Sequence, residues 1–102
     1  MGIVINFAKE LIDLFAHMIV SGRVQGVGFR FSAQQKAIDL HLTGWVRNKI
    51  DGTVEIEIEG QSEKIEQFIQ DLEKGFHKFM RVDDIELNTS ENKRGYKDFV
   101  IK

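Results

Sequence analysis

Residues 21–30, SGRVQGVGFR, carry three glycines within seven residues and end on an arginine. Glycine tolerates positive φ and lets the backbone approach a ligand closely. Successive N–H groups in such a loop can converge on an anion, and a helix that follows adds the positive end of its dipole. On spacing alone a tight turn is the favoured account of the glycines. Arg30 adds to the anion reading. In the first turn of a following helix its guanidinium can fold back over the loop and match a pair of phosphate oxygens. Arg23 also lies in the segment, although an arginine facing solvent is the ordinary case. No Gly-Lys-Ser/Thr follows, so this is not a Walker loop, and the glycine spacing is not that of the dinucleotide fingerprint. Asn48 stands shortly before Asp51-Gly52, where asparagine is an ordinary turn residue.

Charge is distributed to suit a small anion. Residues 18–50 hold Arg23, Arg30, Lys36, Arg47 and Lys49 against Asp39 alone, within a chain whose net charge is −2. A nucleic-acid binder would be basic overall. There are 102 residues and no cysteine, which fits one domain and excludes disulfides, thiolate metal sites and a cysteine nucleophile. The lack of cysteine also favours a reducing compartment. His17, His41 and His77 have no metal-ligand spacing, and neither Ser21 nor Ser32 has a histidine near it in sequence. No apolar run reaches the ~20 residues that cross a bilayer.

The elements that must position these residues can be read from periodicity. Residues 14–20 are a short apolar run bounded by Ser21-Gly22, which predicts a buried strand ahead of a loop over 21–28. Phe29, Ala33, Ala37 and Leu40 fall at helical spacing. Residues 43–49 predict a second strand, and Asp51-Gly52 a hairpin turn. Val54, Ile56 and Ile58 alternate with Glu55, Glu57 and Glu59, predicting a strand with one buried and one solvated face. Ile65, Phe68, Ile69 and Leu72 predict a second amphipathic helix, with Ser62 as its N-cap and Gly75 as its stop. A fourth strand is expected over 82–87, a turn over 93–96 and a short last strand over 99–101. Phe68, Phe76, Phe79 and Phe99 fit core or rim packing. This order predicts an α+β, ferredoxin-like sandwich: βαββαβ with a short extra C-terminal strand, and two helices on one face of an antiparallel sheet. Residues 1–13, MGIVINFAKELID, lack the pattern of a secretory signal. They are expected to be an N-terminal extension, packed on a domain spanning 14–102 or reflecting the choice of start site.

Taken together, GRVQGVGFR, then GWVRN, then DGTVEIEIEG, and finally the closing GYKDFVI resemble the acylphosphatase family over residues 14–102. The resemblance implies the ferredoxin-like fold and hydrolysis of acyl phosphates to a carboxylate and inorganic phosphate, with no metal or other cofactor. It places a phosphate cradle on Gly22, Arg23, Val24, Gln25, Gly26, Val27 and Gly28. It makes Arg30 the catalytic arginine that binds the phosphoryl group, and Asn48 the asparagine that orients the attacking water. The chemistry is consistent with that division. A carboxylate leaving group needs no proton at neutral pH, and phosphoryl transfer asks mainly for positioning and charge stabilisation. An amide can hold water but cannot take its proton, so the proton is expected to go to a phosphoryl oxygen of the substrate.

Two positions depart from the family's pattern. Lys49 follows the asparagine where some members carry a hydroxyl residue, which bears on water positioning. Phe31 stands where tyrosine is often seen and reads as a packing difference. An RNA-binding module would expose stacking aromatics on the third strand, where this chain exposes glutamates. A non-catalytic binding domain, of the kind larger hydrogenase-maturation proteins contain, is less favoured because Arg30 and Asn48 are both present. The expected partners are therefore a small acyl phosphate and product phosphate, with no nucleic acid and no membrane, for a monomer in the cytoplasm.

Overall fold

The computed structural model describes residues 12–102. Apart from Ile12 and Asp13, the expected N-terminal extension lies outside the described residues. The elements run β1 (Asp13–Arg23), α1 (Phe29–Asp39), β2 (Thr43–Asn48), β3 (Val54–Gln61), α2 (Ser62–Lys74), β4 (Arg81–Ser90) and β5 (Phe99–Ile101). They form one five-stranded sheet in the order β4-β1-β3-β2-β5.

The first four strands are antiparallel to their neighbours, as expected, but β5 lies parallel to β2, so the sheet is mixed. The reason is the route of the chain. After β4 it crosses to the opposite edge of the sheet and enters β5 running in the direction of β2. This brings the C-terminal ends of β1, β2 and β5 to the same end of the sheet. Val54 faces Val20 of β1 on one side and Asn48 of β2 on the other. The end of β1 and Asn48 are thus two strand spacings apart, about 10 Å.

The helices cover one face. Ala16, Met18, Val20, Val46, Val54, Ile56 and Ile58 pack from the sheet against Phe29, Ala33 and Ala37 of α1 and Ile65, Phe68, Ile69 and Leu72 of α2. The alternating and helical patterns therefore place the core where the sequence puts it. Phe76 bridges the helices, with ring centroids 5.8 Å from Phe29 and 5.6 Å from Phe68. Lys36 and Asp71 pair across them at 3.1 Å.

Several boundaries differ from expectation. Ser21-Gly22 does not end β1. The strand continues to Arg23 through a bulge, with Gly22 opposite Val82 and Arg23 opposite Arg81. A Cβ at Gly22 would sit 2.2 Å from the Arg81 carbonyl oxygen, so glycine is needed here for close approach to β4. β4 also extends to polar residues 88–90, which pairing with the long β1 holds in strand form. Ser62 is the buried first residue of α2 and Gln61 is its N-cap; the Ser62 N–H donates to the Ile12 carbonyl at 2.8 Å. Gly75 is the C-cap, at φ 82°.

The glutamate row is the largest departure from a solvated face. Glu59 is only 4% exposed. Its carboxylate accepts backbone N–H groups from Arg94, Gly95 at 3.0 Å and Tyr96 at 3.1 Å. Glu57 accepts the Tyr96 hydroxyl, which in turn accepts Trp45 Nε1–H at 3.0 Å. Burial and the Glu57 carboxylate together hold the Tyr96 phenol above its usual pKa. Glu55 meets His17 and Arg47, both at 2.6 Å. Burial alone would raise its carboxyl, but these two bonds outweigh burial and hold it below the usual range. The alternation shows which face the glutamates occupy, but the partners come from segments distant in sequence.

Glu59 thus pins the connection that delivers β5. Replacing it with alanine removes a charged acceptor from three N–H groups. Glu59→Ala is expected to lower unfolding free energy by about 1–3 kcal/mol in urea titration, with Glu59→Gln less affected.

Candidate active site

The loop between β1 and α1 is built from one buried anchor and two backbone reversals. Val24 is 1% exposed and fixes the start of the loop in the core, and Val27 packs partly against it. Gly26 has φ 75° and Gly28 has φ 76°, and a Cβ at either would meet nothing within 4 Å. These two glycines are therefore required by backbone conformation, and the space over them is open to a ligand. Gly28 is the N-cap of α1, so the helix N-terminus opens directly onto the loop.

Gln25 joins this loop to the β2–β3 hairpin. Its Nε2 donates to the carbonyls of Lys49 and Thr53, at 2.8 Å each. The hairpin is itself closed by Lys49 N–H to the Thr53 carbonyl at 2.9 Å, and Asp51 accepts the Thr53 N–H at 3.0 Å and its hydroxyl at 2.6 Å. The Thr53 hydroxyl and N–H bonds hold the Asp51 carboxyl below its usual pKa. Within β2, Asn48 shares the face of buried Val46, toward the helices, while Trp45 and Arg47 alternate onto the open face.

These elements enclose a cleft of about 260 Å³ whose polar lining comes from Arg30, Asn48 and the backbone at Gly26 and Gly28. Val24, Phe29, Phe31 and Ile101 supply its apolar lining. Neither the Arg30 nor the Asn48 side chain has a hydrogen-bond or ion-pair partner among the described residues. Of the other basic residues in this part of the chain, Lys36 is engaged by Asp71 and Arg47 by Glu55. Arg47 also lies over the Trp45 ring at 5.6 Å. The local excess of positive charge seen in the sequence therefore reduces, within the cleft, to Arg30.

The expected site residues separate into groups. Gly26, Gly28, Arg30, Asn48 and Val24 come together in the cleft. Gly22 and Arg23 belong to β1 and do not line it; Gly22 serves strand packing and Arg23 is exposed. Gln25 directs its side chain to the hairpin. Val27 faces the core. Ile101 was not anticipated, because nothing in the sequence indicates that the last strand reaches the loop; the parallel pairing of Ile101 with Val46 brings it there. Phe31, expected to pack, is 62% exposed at the cleft. Among the described residues no group of three or more His, Asp or Glu side chains could hold a metal ion.

Comparison with known proteins gives the same answer as the motifs. The model of the Acylphosphatase family matches residues 16–101. An acylphosphatase of Bacillus licheniformis is 46% identical over 84 residues, covering 82% of this chain and 92% of the relative. The crystal structure of acylphosphatase from Bacillus subtilis superposes with a TM-score of 0.84 at 40% identity, covering 87% of this chain and 98% of that one. Full-length HypF, solved in a phosphate- and nucleotide-bound form, aligns over 92% of this chain but 12% of its own, at 28% identity and a TM-score of 0.79. The chain belongs to the acylphosphatase family.

The Gln25 bridge is testable apart from chemistry. Gln25→Ala leaves two hairpin carbonyls without this donor and is expected to cost about 1–3 kcal/mol of stability. It should also reduce the protection that inorganic phosphate gives against thermal unfolding, read as a smaller phosphate-induced shift in Tm.

Proposed function

We propose that the protein hydrolyses small acyl phosphates to a carboxylate and inorganic phosphate, using Arg30 to bind the phosphoryl group and Asn48 to orient the attacking water. The observation that carries this reading is the meeting of Arg30 and Asn48 in one cleft beside the open backbone of Gly26 and Gly28. The loop N–H groups and the N-terminus of α1 receive the phosphoryl oxygens, and the Arg30 guanidinium neutralises the charge that builds on them.

The reaction needs little more than this. The water oxygen bonds to phosphorus while the bond from phosphorus to the acyl oxygen breaks, and the electron pair leaves with the carboxylate. One water proton passes to a phosphoryl oxygen, so the products are a carboxylate and dihydrogen phosphate. A leaving group this acidic requires no general acid and no Lewis acid, and no metal step is assigned. Asn48 accepts and donates hydrogen bonds to hold the water in line, and takes no proton. Lys49, next in sequence, directs its carbonyl to Gln25, so its backbone helps to fix Asn48.

No helix among the described residues is long and apolar enough to cross a membrane. The cysteine-free composition supports a cytoplasmic setting. The net charge of −2 speaks against a nucleic-acid partner, and a monomer is the simplest state for this reading. The alternative is a phosphate-binding module that turns over nothing.

Benzoyl phosphate turnover in the presence of a metal chelator separates the two. The wild type is expected to remain active, while Arg30→Ala and Asn48→Ala each lose about 10²–10³-fold in kcat with their fold intact. A folded wild type that is protected by phosphate yet turns over nothing would leave the binding module.

A further inference from the structure

The cleft is wider than its phosphoryl end. Beyond Gly26, Gly28, Arg30 and Asn48, the surface met by whatever is attached to the phosphate is made by Phe31 and Ile101. Phe31 is 62% exposed and Ile101 39% exposed, so these side chains stand at the mouth and not in the core. They come from segments far apart in the chain. Phe31 follows Arg30 in the first turn of α1, and Ile101 arrives on β5, which Val46 pairs in parallel register. The lining includes no carboxylate, and its one cation is the arginine already assigned to the phosphoryl group. An acyl group bearing its own charge would find no counter-ion there, whereas a hydrocarbon group would find apolar surface to cover.

We propose that Phe31 and Ile101 form an acyl-group subsite that selects acyl phosphates with an extended hydrocarbon acyl chain over short or anionic ones. This rests on the function proposed above and adds the class of acyl group to it. Ile50 is fully exposed at the hairpin tip beside Asn48, but that surface also carries Arg47, Lys49 and Asp51, so the apolar part of the site is confined to Phe31 and Ile101. Phe31 and Ile101 line the same cleft as Arg30 and Asn48, and the chain leaving the phosphoryl site is placed to cover them.

The test is a homologous series. Straight-chain acetyl, butyryl and hexanoyl phosphates have the same kind of leaving carboxylate, so differences in kcat/KM report contact with the chain and not intrinsic reactivity. Four added methylenes, each partly covered, are expected to raise kcat/KM about tenfold from acetyl to hexanoyl phosphate. Phe31→Ser, Ile101→Ser and the double variant should reduce that ratio, the double variant to about twofold or less, while Phe31→Leu should retain most of it. The exposure of both side chains favours folded variants, and circular dichroism checks each one. Either single variant suffices if the double does not fold.

A wild-type ratio near one, or an undiminished ratio in the folded serine variants, would overturn the subsite. So would a preference for succinyl over butyryl phosphate, which would assign a charged acyl group instead. Turnover of acetyl phosphate with a flat series leaves the proposed hydrolysis standing without the subsite; no turnover of any member removes both.

Discussion

The two hydrogen bonds from the Gln25 amide to the Lys49 and Thr53 carbonyls are the tie on which the cleft depends. A phosphoryl group has to be met by residues that the chain carries far apart. The loop after β1 supplies the backbone and Arg30, and the end of β2 supplies Asn48. Sheet pairing sets these segments about 10 Å apart through β3, but it does not fix the loop against the hairpin. Gln25 does that with an uncharged donor, leaving the cleft's single guanidinium uncommitted. Val24 holds the same loop from below, so neighbouring residues anchor it to the hairpin and to the core.

The faces of the sheet have different tasks. The covered face is a conventional apolar core, and its strength lies in the close packing of two helices on alternating strands. The open face is held by polar contacts. Glu59 gathers the backbone of residues 94–96, Glu57 fixes Tyr96, which holds Trp45, and Glu55 joins His17 to Arg47. Lys102 adds a contact over the Trp45 ring at 4.5 Å. The consequence reaches the site. These contacts guide the chain across the sheet to β5, and β5 brings Ile101 to the cleft. A carboxylate far from the cleft thereby helps to shape its mouth.

Much of the fold was legible in the sequence because its signals are local. Val54, Ile56 and Ile58 alternate, Ile65, Phe68, Ile69 and Leu72 keep helical period, and Gly75 ends a helix; each depends on neighbours within a turn or a strand. The glycine loop and Arg30 were legible for the same reason. Asn48 was not: by local chemistry it is a turn residue, and only its match to a family motif marked it out. The parallel pairing of β5, the exposure of Phe31 and the burial of Glu59 were also hidden, because each is decided by a contact with a segment tens of residues away. Gly22 shows the reverse case. It belongs to the glycine-rich motif, yet its lack of a side chain serves the approach of β4 to β1.

The central claim is that one phosphoryl group is received by the loop backbone and Arg30 at the end of the sheet where β1, β2 and β5 finish. Titration of the isotopically labelled protein with inorganic phosphate, followed by amide and arginine side-chain NMR shifts, tests it most directly. Saturable shifts concentrated at the Gly26, Val27 and Gly28 amides, the Arg30 guanidinium and the Asn48 side chain are the predicted result, with the open face of the sheet unmoved. Saturable shifts centred elsewhere, with the loop amides and Arg30 unchanged, would contradict the account.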